Sequence, residues 1–211
     1  MKMTADELGF VHKFVASQTG QHAGTLLLLH GTGGTENDLL PLGRSLGPDY
    51  NLLSPRGKAL ENGMARYFRR LSEGVFDIED LKFRTHELAA FAEKASPAYD
   101  FDLDKIIAVG FSNGANIGAS LLLLCPRLLA GAILLRPMVP LEPEIKPDLN
   151  GISVLIMSGR NDAVVPENQA EALAGMLLGA GADVTLNWHD AGHAVTNDEV
   201  IQARKWLETI S

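Results

Sequence analysis

Ile106-Ile107-Ala108-Val109-Gly110-Phe111-Ser112-Asn113-Gly114-Ala115 is the stretch whose reading fixes how the rest of the chain folds. An apolar, β-branched run enters Gly-x-Ser-x-Gly, and an apolar helical pattern from Ala115 to Leu124 leaves it. That order predicts a strand, a sharp turn and a helix, with the serine hydroxyl exposed at the top of a sheet. Gly110 and Gly114 lack a Cβ, so strand and helix can close around a serine held in an unfavourable backbone conformation. The pattern is weak alone, since 21 glycines in 211 residues produce chance matches. Its context and its partners give it weight.

Working outward, apolar runs alternate with helical patterns. Phe10 to Ser17 reads as an edge strand and Gln18 to Gly24 as a polar turn. Thr25 to Leu29 is a continuous apolar run suited to a strand buried on both faces, and it ends in His30-Gly31-Thr32-Gly33-Gly34. Glu36 to Leu46 has helical spacing, with Thr35 or Asn37 as cap. Tyr50 to Ser54 is a strand. Arg56 to Asp77 is expected to be a long irregular loop, too rich in aromatic and apolar residues for disorder. Ile78 to Lys94 is a helix capped by Asp77. Ala130 to Leu135 and Ser153 to Ser158 are strands. Between them, Arg136 to Gly151 carries four prolines and leaves no room for a large lid. Glu167 to Leu178 is a helix, Val184 to His189 a strand, and Asn197 to Ile210 a helix with Val200, Ile201, Ala203, Trp206 and Leu207 inward. The expected fold is α/β: one domain over residues 1–211, a mostly parallel sheet with helices on both faces.

In such a sheet, functional groups gather in loops at the carboxyl ends of the strands. Four of these loops hold His30–Gly34, Gly110–Gly114, Gly159–Asp162 and Asp190–His193. A serine hydroxyl needs a base, and the base needs an orienting carboxylate. Ser112, Asp162 and His193 follow in that order, with complete strand–helix units between them. Asp190 and Asp198 are rivals for the acid, but neither follows a strand in the right place. His12, His22, His30, His86 and His189 are rivals for the base. His189 and His193 have a zinc-like spacing, but it crosses Gly192 in a turn and no third ligand is evident, so no metal is expected. The oxyanion donors are the backbone N–H groups of Asn113, at a helix start, and of Thr32 in the glycine-rich turn. That turn is not followed by Gly-Lys-Ser/Thr, so it does not read as a phosphate loop. His30 is expected to support the turn.

The four motifs together, His30-Gly31-Thr32-Gly33-Gly34, Gly110-Phe111-Ser112-Asn113-Gly114, Gly159-Arg160-Asn161-Asp162-Ala163-Val164-Val165-Pro166 and Gly192-His193, resemble the phospholipase/carboxylesterase group of α/β hydrolases over about residues 20 to 210. Ser54-Pro55-Arg56-Gly57, Glu61-Asn62-Gly63-Met64 and Arg69-Arg70 look closer to a bacterial subgroup of carboxylesterases, some labelled dienelactone-hydrolase-like. The resemblance implies a serine carboxylesterase with no cofactor, acting on a small-molecule ester. A thioesterase or lysophospholipase with the same triad is the alternative, and a non-catalytic ligand-binding fold a lesser one. Asn113 stands where the thioesterases usually carry glutamine, which changes the pocket wall. Ser112 stands where true dienelactone hydrolases are expected to have cysteine, so that activity is not implied. Met64, Tyr67, Phe68, Phe76 and Arg70 are the expected pocket residues.

Composition bounds the rest. Net charge is −8, which argues against a general nucleic-acid binder. No segment is long and apolar enough for a membrane span, and the acidic amino-terminus does not read as a signal peptide. The single cysteine, Cys125, excludes an internal disulfide framework, reads as a buried structural thiol, and suits a reducing compartment; the expected location is the cytoplasm. A homo-oligomer is not readable from the sequence.

Overall fold

The computed structural model describes residues 8–20 and 23–210; the expectations for the first seven residues and for His22 fall outside them. Thr25-Leu26-Leu27-Leu28-Leu29 forms β2 (Thr25–Leu29) and shows no polar alternation because both of its faces are covered. Leu27 and Leu29 join one core layer, Leu26 and Leu28 the other. The remaining strands of the main sheet are β1 (His12–Val15), β3 (Asn51–Pro55), β8 (Ile106–Phe111), β9 (Gly131–Leu135), β10 (Ser153–Gly159) and β11 (Asp183–His189). Their order is β1-β3-β2-β8-β9-β10-β11. β1 runs antiparallel to β3 at the edge, and every other pairing is parallel.

Helices α2 (Ile78–Tyr99), α3 (Asn113–Leu124) and α4 (Glu167–Gly179) cover one face, and α1 (Leu40–Leu46) and α5 (Asn197–Ile210) the other. α3 is buried on every side from Asn113 to Leu123, which is why its sequence is apolar all round rather than striped. The fold is that of an α/β hydrolase, with a mainly parallel central sheet. Arg136 to Ile152 carries neither helix nor strand. Among the described residues no helix is long and apolar enough to cross a membrane.

Four local expectations are corrected. Arg56–Asp77 is not irregular: it folds into two hairpins, β4 (Ala59–Glu61) with β5 (Met64–Arg66), and β6 (Arg70–Ser72) with β7 (Val75–Phe76). Asn62 and Gly63 sit at φ 51 and 80, the consecutive left-handed pair that a tight two-residue hairpin turn requires. α1 begins at Leu40 without a side-chain cap, not at Glu36. Pro41 has no N–H to continue a helix in from Asn37, but it fits the first turn. Thr35 instead donates to Asp38 Oδ1 at 2.6 Å. α2 runs past Lys94 through Pro97 to Tyr99, because a proline so near the end costs only the one bond its missing N–H would make. Its Asp77 cap is as expected, accepting from the Asp80 N–H. Ile201 on α5 is 52% exposed rather than inward.

Candidate active site

The elbow begins with the steric demands of two glycines. A Cβ on Gly114 would lie 1.9 Å from the Leu29 carbonyl oxygen, and one on Gly110 would lie 2.4 Å from the Gly114 oxygen. With both absent, α3 starts directly against β2 and β8, and the turn between is forced through Ser112 at φ 52, ψ −114. A non-glycine residue there stores strain, held here by the Ser112 N–H donating to Leu135 O at 2.9 Å and its carbonyl accepting from the Asn116 N–H at 3.0 Å. The Ser112 hydroxyl does not cap the helix.

Parallel pairing of β10 with β11, Gly159 opposite His189, sets the two following loops side by side. The imidazole of His193 meets Asp162 there, Nδ1 to Oδ2 at 2.8 Å. Asp162 Oδ1 accepts the backbone N–H groups of Val164 at 2.8 Å and Val165 at 3.0 Å. Burial by itself would raise the Asp162 pKa, but these three hydrogen bonds hold the carboxyl below the usual range, so it is ionised at neutral pH. An ionised carboxylate only accepts, so Nδ1 carries the proton of this bond and Nε2 is the ring nitrogen not held by Asp162. The ring packs on Phe111, beside Ser112, with centroids 5.2 Å apart. Ser112 and His193 line one cavity of about 290 Å³.

Thr32 and Asn113 line the same cavity. In the glycine-rich turn, the Gly33 N–H is committed to Ala65 O at 2.8 Å and the Gly34 N–H to Gly31 O at 3.1 Å. The Thr32 hydroxyl accepts from Arg66 Nη1 at 2.6 Å. Asn113 heads α3, where first-turn N–H groups have no partner within the helix. His30 is buried; its Nε2 accepts the Gly57 N–H at 2.9 Å, so the proton sits on Nδ1, which donates to Gly31 O at 2.6 Å. Desolvation lowers its pKa. It bridges the turn to the start of the first hairpin, a supporting position as expected.

Of the five expected pocket residues, Phe76 and Arg70 line the cavity. Tyr67 and Phe68 do not: both are core residues, 2% and 0% exposed, because the hairpin folds them inward onto the sheet. The Tyr67 hydroxyl donates to Pro55 O at 2.7 Å. Met64 stands beside Gly33, outside the lining. The arginines of this stretch are mostly paired: Arg56 with Glu36, Arg69 with Asp77 and Asp80, Arg66 and Arg70 with Glu61. Cys125 is half-buried, its thiol pushed up by burial, and its Sγ lies 3.5 Å from His86 Nδ1.

Sequence reasoning missed Arg136 and Glu199. Arg136 is fully buried at φ 58, one residue past β9. Its guanidinium donates to Gly192 O at 2.9 Å and Ala194 O at 3.0 Å, the two carbonyls flanking His193, and to Met157 O at 3.2 Å. It also grips Glu199 through two bonds of 2.5 and 3.0 Å and lies 3.9 Å from Asp162. Burial works to raise the Glu199 pKa, but Arg136 and Thr196 hold it below the usual range. Glu199 accepts the Thr196 N–H at 2.8 Å while its own N–H bonds Thr196 Oγ1 at 3.3 Å. This is a capping box, legible as Thr196-Asn197-Asp198-Glu199. His189 Nε2 lies 3.9 Å from Glu199, not on a shared site with His193.

Comparison with known proteins identifies the family. The sequence profile of the phospholipase/carboxylesterase family matches residues 11–211. MhqD of Bacillus subtilis (strain 168), assigned as a hydrolase, is 49% identical over 191 residues, covering 90% of this chain and 96% of that protein. The crystal structure of a Bacillus cereus carboxylesterase is 46% identical with a TM-score of 0.92, covering 96% of this chain and 95% of the other. A structure of YahD with malic acid is 30% identical with a TM-score of 0.88, over 96% of this chain and all of the other, 100%.

Proposed function

Since the chain belongs to the phospholipase/carboxylesterase family of hydrolases, we propose that it is a serine carboxylesterase acting through an acyl-enzyme on small esters. Ser112 Oγ attacks the ester carbonyl as His193 Nε2 takes its proton. Asp162 fixes the ring by accepting from Nδ1 and stabilises the imidazolium that forms. The N–H groups of Thr32 and Asn113 bind the oxyanion, each donor worth roughly 10²–10³ in rate. The imidazolium returns the proton to the departing alcohol. Water, deprotonated by His193, then attacks the acyl-enzyme and releases acid and free Ser112.

The observation that carries this reading is the hydrogen bond from Asp162, whose side chain is 1% exposed, to His193, which lines the same cavity as Ser112. Metal and redox cofactors have no part in the scheme. A cavity of about 290 Å³ favours a short acyl or alcohol part over a lysophospholipid chain. The malic acid in the YahD structure supports a small, polar substrate here as well.

A fluorophosphonate probe tests the assignment. Folded protein is expected to label at Ser112 and to hydrolyse p-nitrophenyl acetate. Ser112→Ala should abolish labelling and lower kcat by about 10⁶-fold. Unlabelled, folded wild-type protein, or a Ser112→Ala variant as active as the parent, refutes the serine mechanism.

A further inference from the structure

The polar atoms on the cavity wall are donors in excess. Of the ionisable residues there besides His193, three are arginines, Arg66, Arg70 and Arg136, and Glu73 is the one acid, exposed on the second hairpin. Arg136 is spent on Glu199 and three carbonyls, and Arg66 on Thr32, Glu61 and the Phe68 carbonyl. Arg70 differs. Glu61 holds it at Nε, with contacts of 2.8 and 3.1 Å, and neither terminal nitrogen bonds a protein acceptor among the described residues. A guanidinium anchored at Nε with its terminal nitrogens available has the shape that grips a carboxylate.

Two amides on the first turn of α3 add to this. Asn113 Oδ1 accepts the Tyr67 N–H at 2.7 Å, and Asn116 Oδ1 accepts the Met138 N–H at 2.7 Å. A backbone N–H can only donate, so both amide orientations are fixed and each Nδ2 is a donor. Asn113 is 2% exposed and its Nδ2 is buried with no hydrogen-bond partner. Asn116 Nδ2 also bonds no protein acceptor among the described residues. A buried donor without an acceptor is costly, and in the wall of a reaction cavity the substrate is the natural acceptor.

We propose that Arg70, Asn113 and Asn116 form an oxyacid-recognising subsite, and that the preferred substrate is an ester bearing a second, ionised carboxylate. The proposal rests on the serine-esterase reading. Arg70 and the Asn116 amide hold the distal carboxylate, while the Asn113 amide donates to an oxygen nearer the reacting carbonyl.

The test compares esters differing only in that charge: monoethyl glutarate against ethyl 5-methylhexanoate, and 4-acetoxybutanoate against 4-methylpentyl acetate, followed by pH-stat. The wild type is expected to favour the acid by about 10- to 100-fold in kcat/KM in at least one pair, the range of a charge-assisted hydrogen-bonded clamp. Arg70→Leu should bring that ratio towards one. Asn116→Asp keeps the acceptor for Met138 but replaces the amide donor with a like charge, and should lower the ratio independently. Hydrolysis of both members of each pair at equal rates, with Ser112 still labelled by fluorophosphonate, overturns the subsite alone. No hydrolysis and no label overturns the esterase reading and the subsite with it.

Discussion

Arg136 is where the stability of the fold and the placement of His193 meet, and its removal separates the two. Arg136→Met leaves Glu199 buried at 0% exposure with Thr196 as its one remaining hydrogen-bond partner among the described residues and His189 Nε2 at 3.9 Å. Breaking a buried pair from one side costs about 3–5 kcal/mol, a large share of the roughly 5–15 kcal/mol that holds a domain together. Arg136→Met/Glu199→Met removes both charges. Its cost should fall to about 1–2 kcal/mol, chiefly the lost capping box at Thr196. The double variant is therefore more stable than the single. Activity follows a different rule. In both variants the carbonyls of Gly192 and Ala194 lose the donor that pins the chain on either side of His193. A shift of the imidazole by about 1 Å costs on the order of 10²-fold in rate. Urea midpoints and kcat/KM for p-nitrophenyl acetate, measured side by side, should show stability mostly recovered in the double variant and activity still down about 100-fold. Wild-type activity in the double variant refutes the positioning role. A single variant as stable as the parent refutes the energetics.

Two further outcomes follow from other parts of the site. Gly114→Ala would set a methyl 1.9 Å from the Leu29 carbonyl, a backbone atom that cannot yield, so the variant should fail to accumulate as folded protein by circular dichroism. His30 has its pKa lowered by desolvation, so the unfolded chain binds the extra proton first; its contribution is complete above the unfolded value of about 6.5 and is lost as pH falls below it. His30→Gln, measured by urea unfolding from pH 7 to pH 5, should flatten the loss of stability with acid, and an unchanged slope would rule His30 out as its source.

The sheet, its helices, the elbow at Ser112 and the Asp162–His193 pairing were legible because each rests on a local signal: an unbroken apolar run, a glycine pair, a residue one loop past a strand. The first hairpin left one signal, Asn62-Gly63, the strongest short turn signal in the segment, but its flanking strands are only three residues each and carry no clean alternation. Tyr67 and Phe68 were misplaced because aromatic content signals burial without saying against what. Arg136 and Glu199 lie 63 residues apart, and pairing at that separation is set by topology, not pattern. The α1 start was misread because periodicity from Glu36 outweighed Pro41.

The two hairpins look alike on paper, yet they are bound to the molecule very differently. The first is stitched to the glycine-rich turn and the elbow: Ala65 O takes the Gly33 N–H, Arg66 reaches Thr32, and the Tyr67 N–H holds Asn113. The second meets the cavity through Arg70, Glu73, Gly74 and Phe76, while Leu71 and Val75 face solvent at 72% and 50% exposure. Diversification of residues 71–76 therefore offers an engineer a dial for selectivity that leaves the glycine-rich turn and the elbow untouched, whereas shuffling residues 59–67 would reset both along with it.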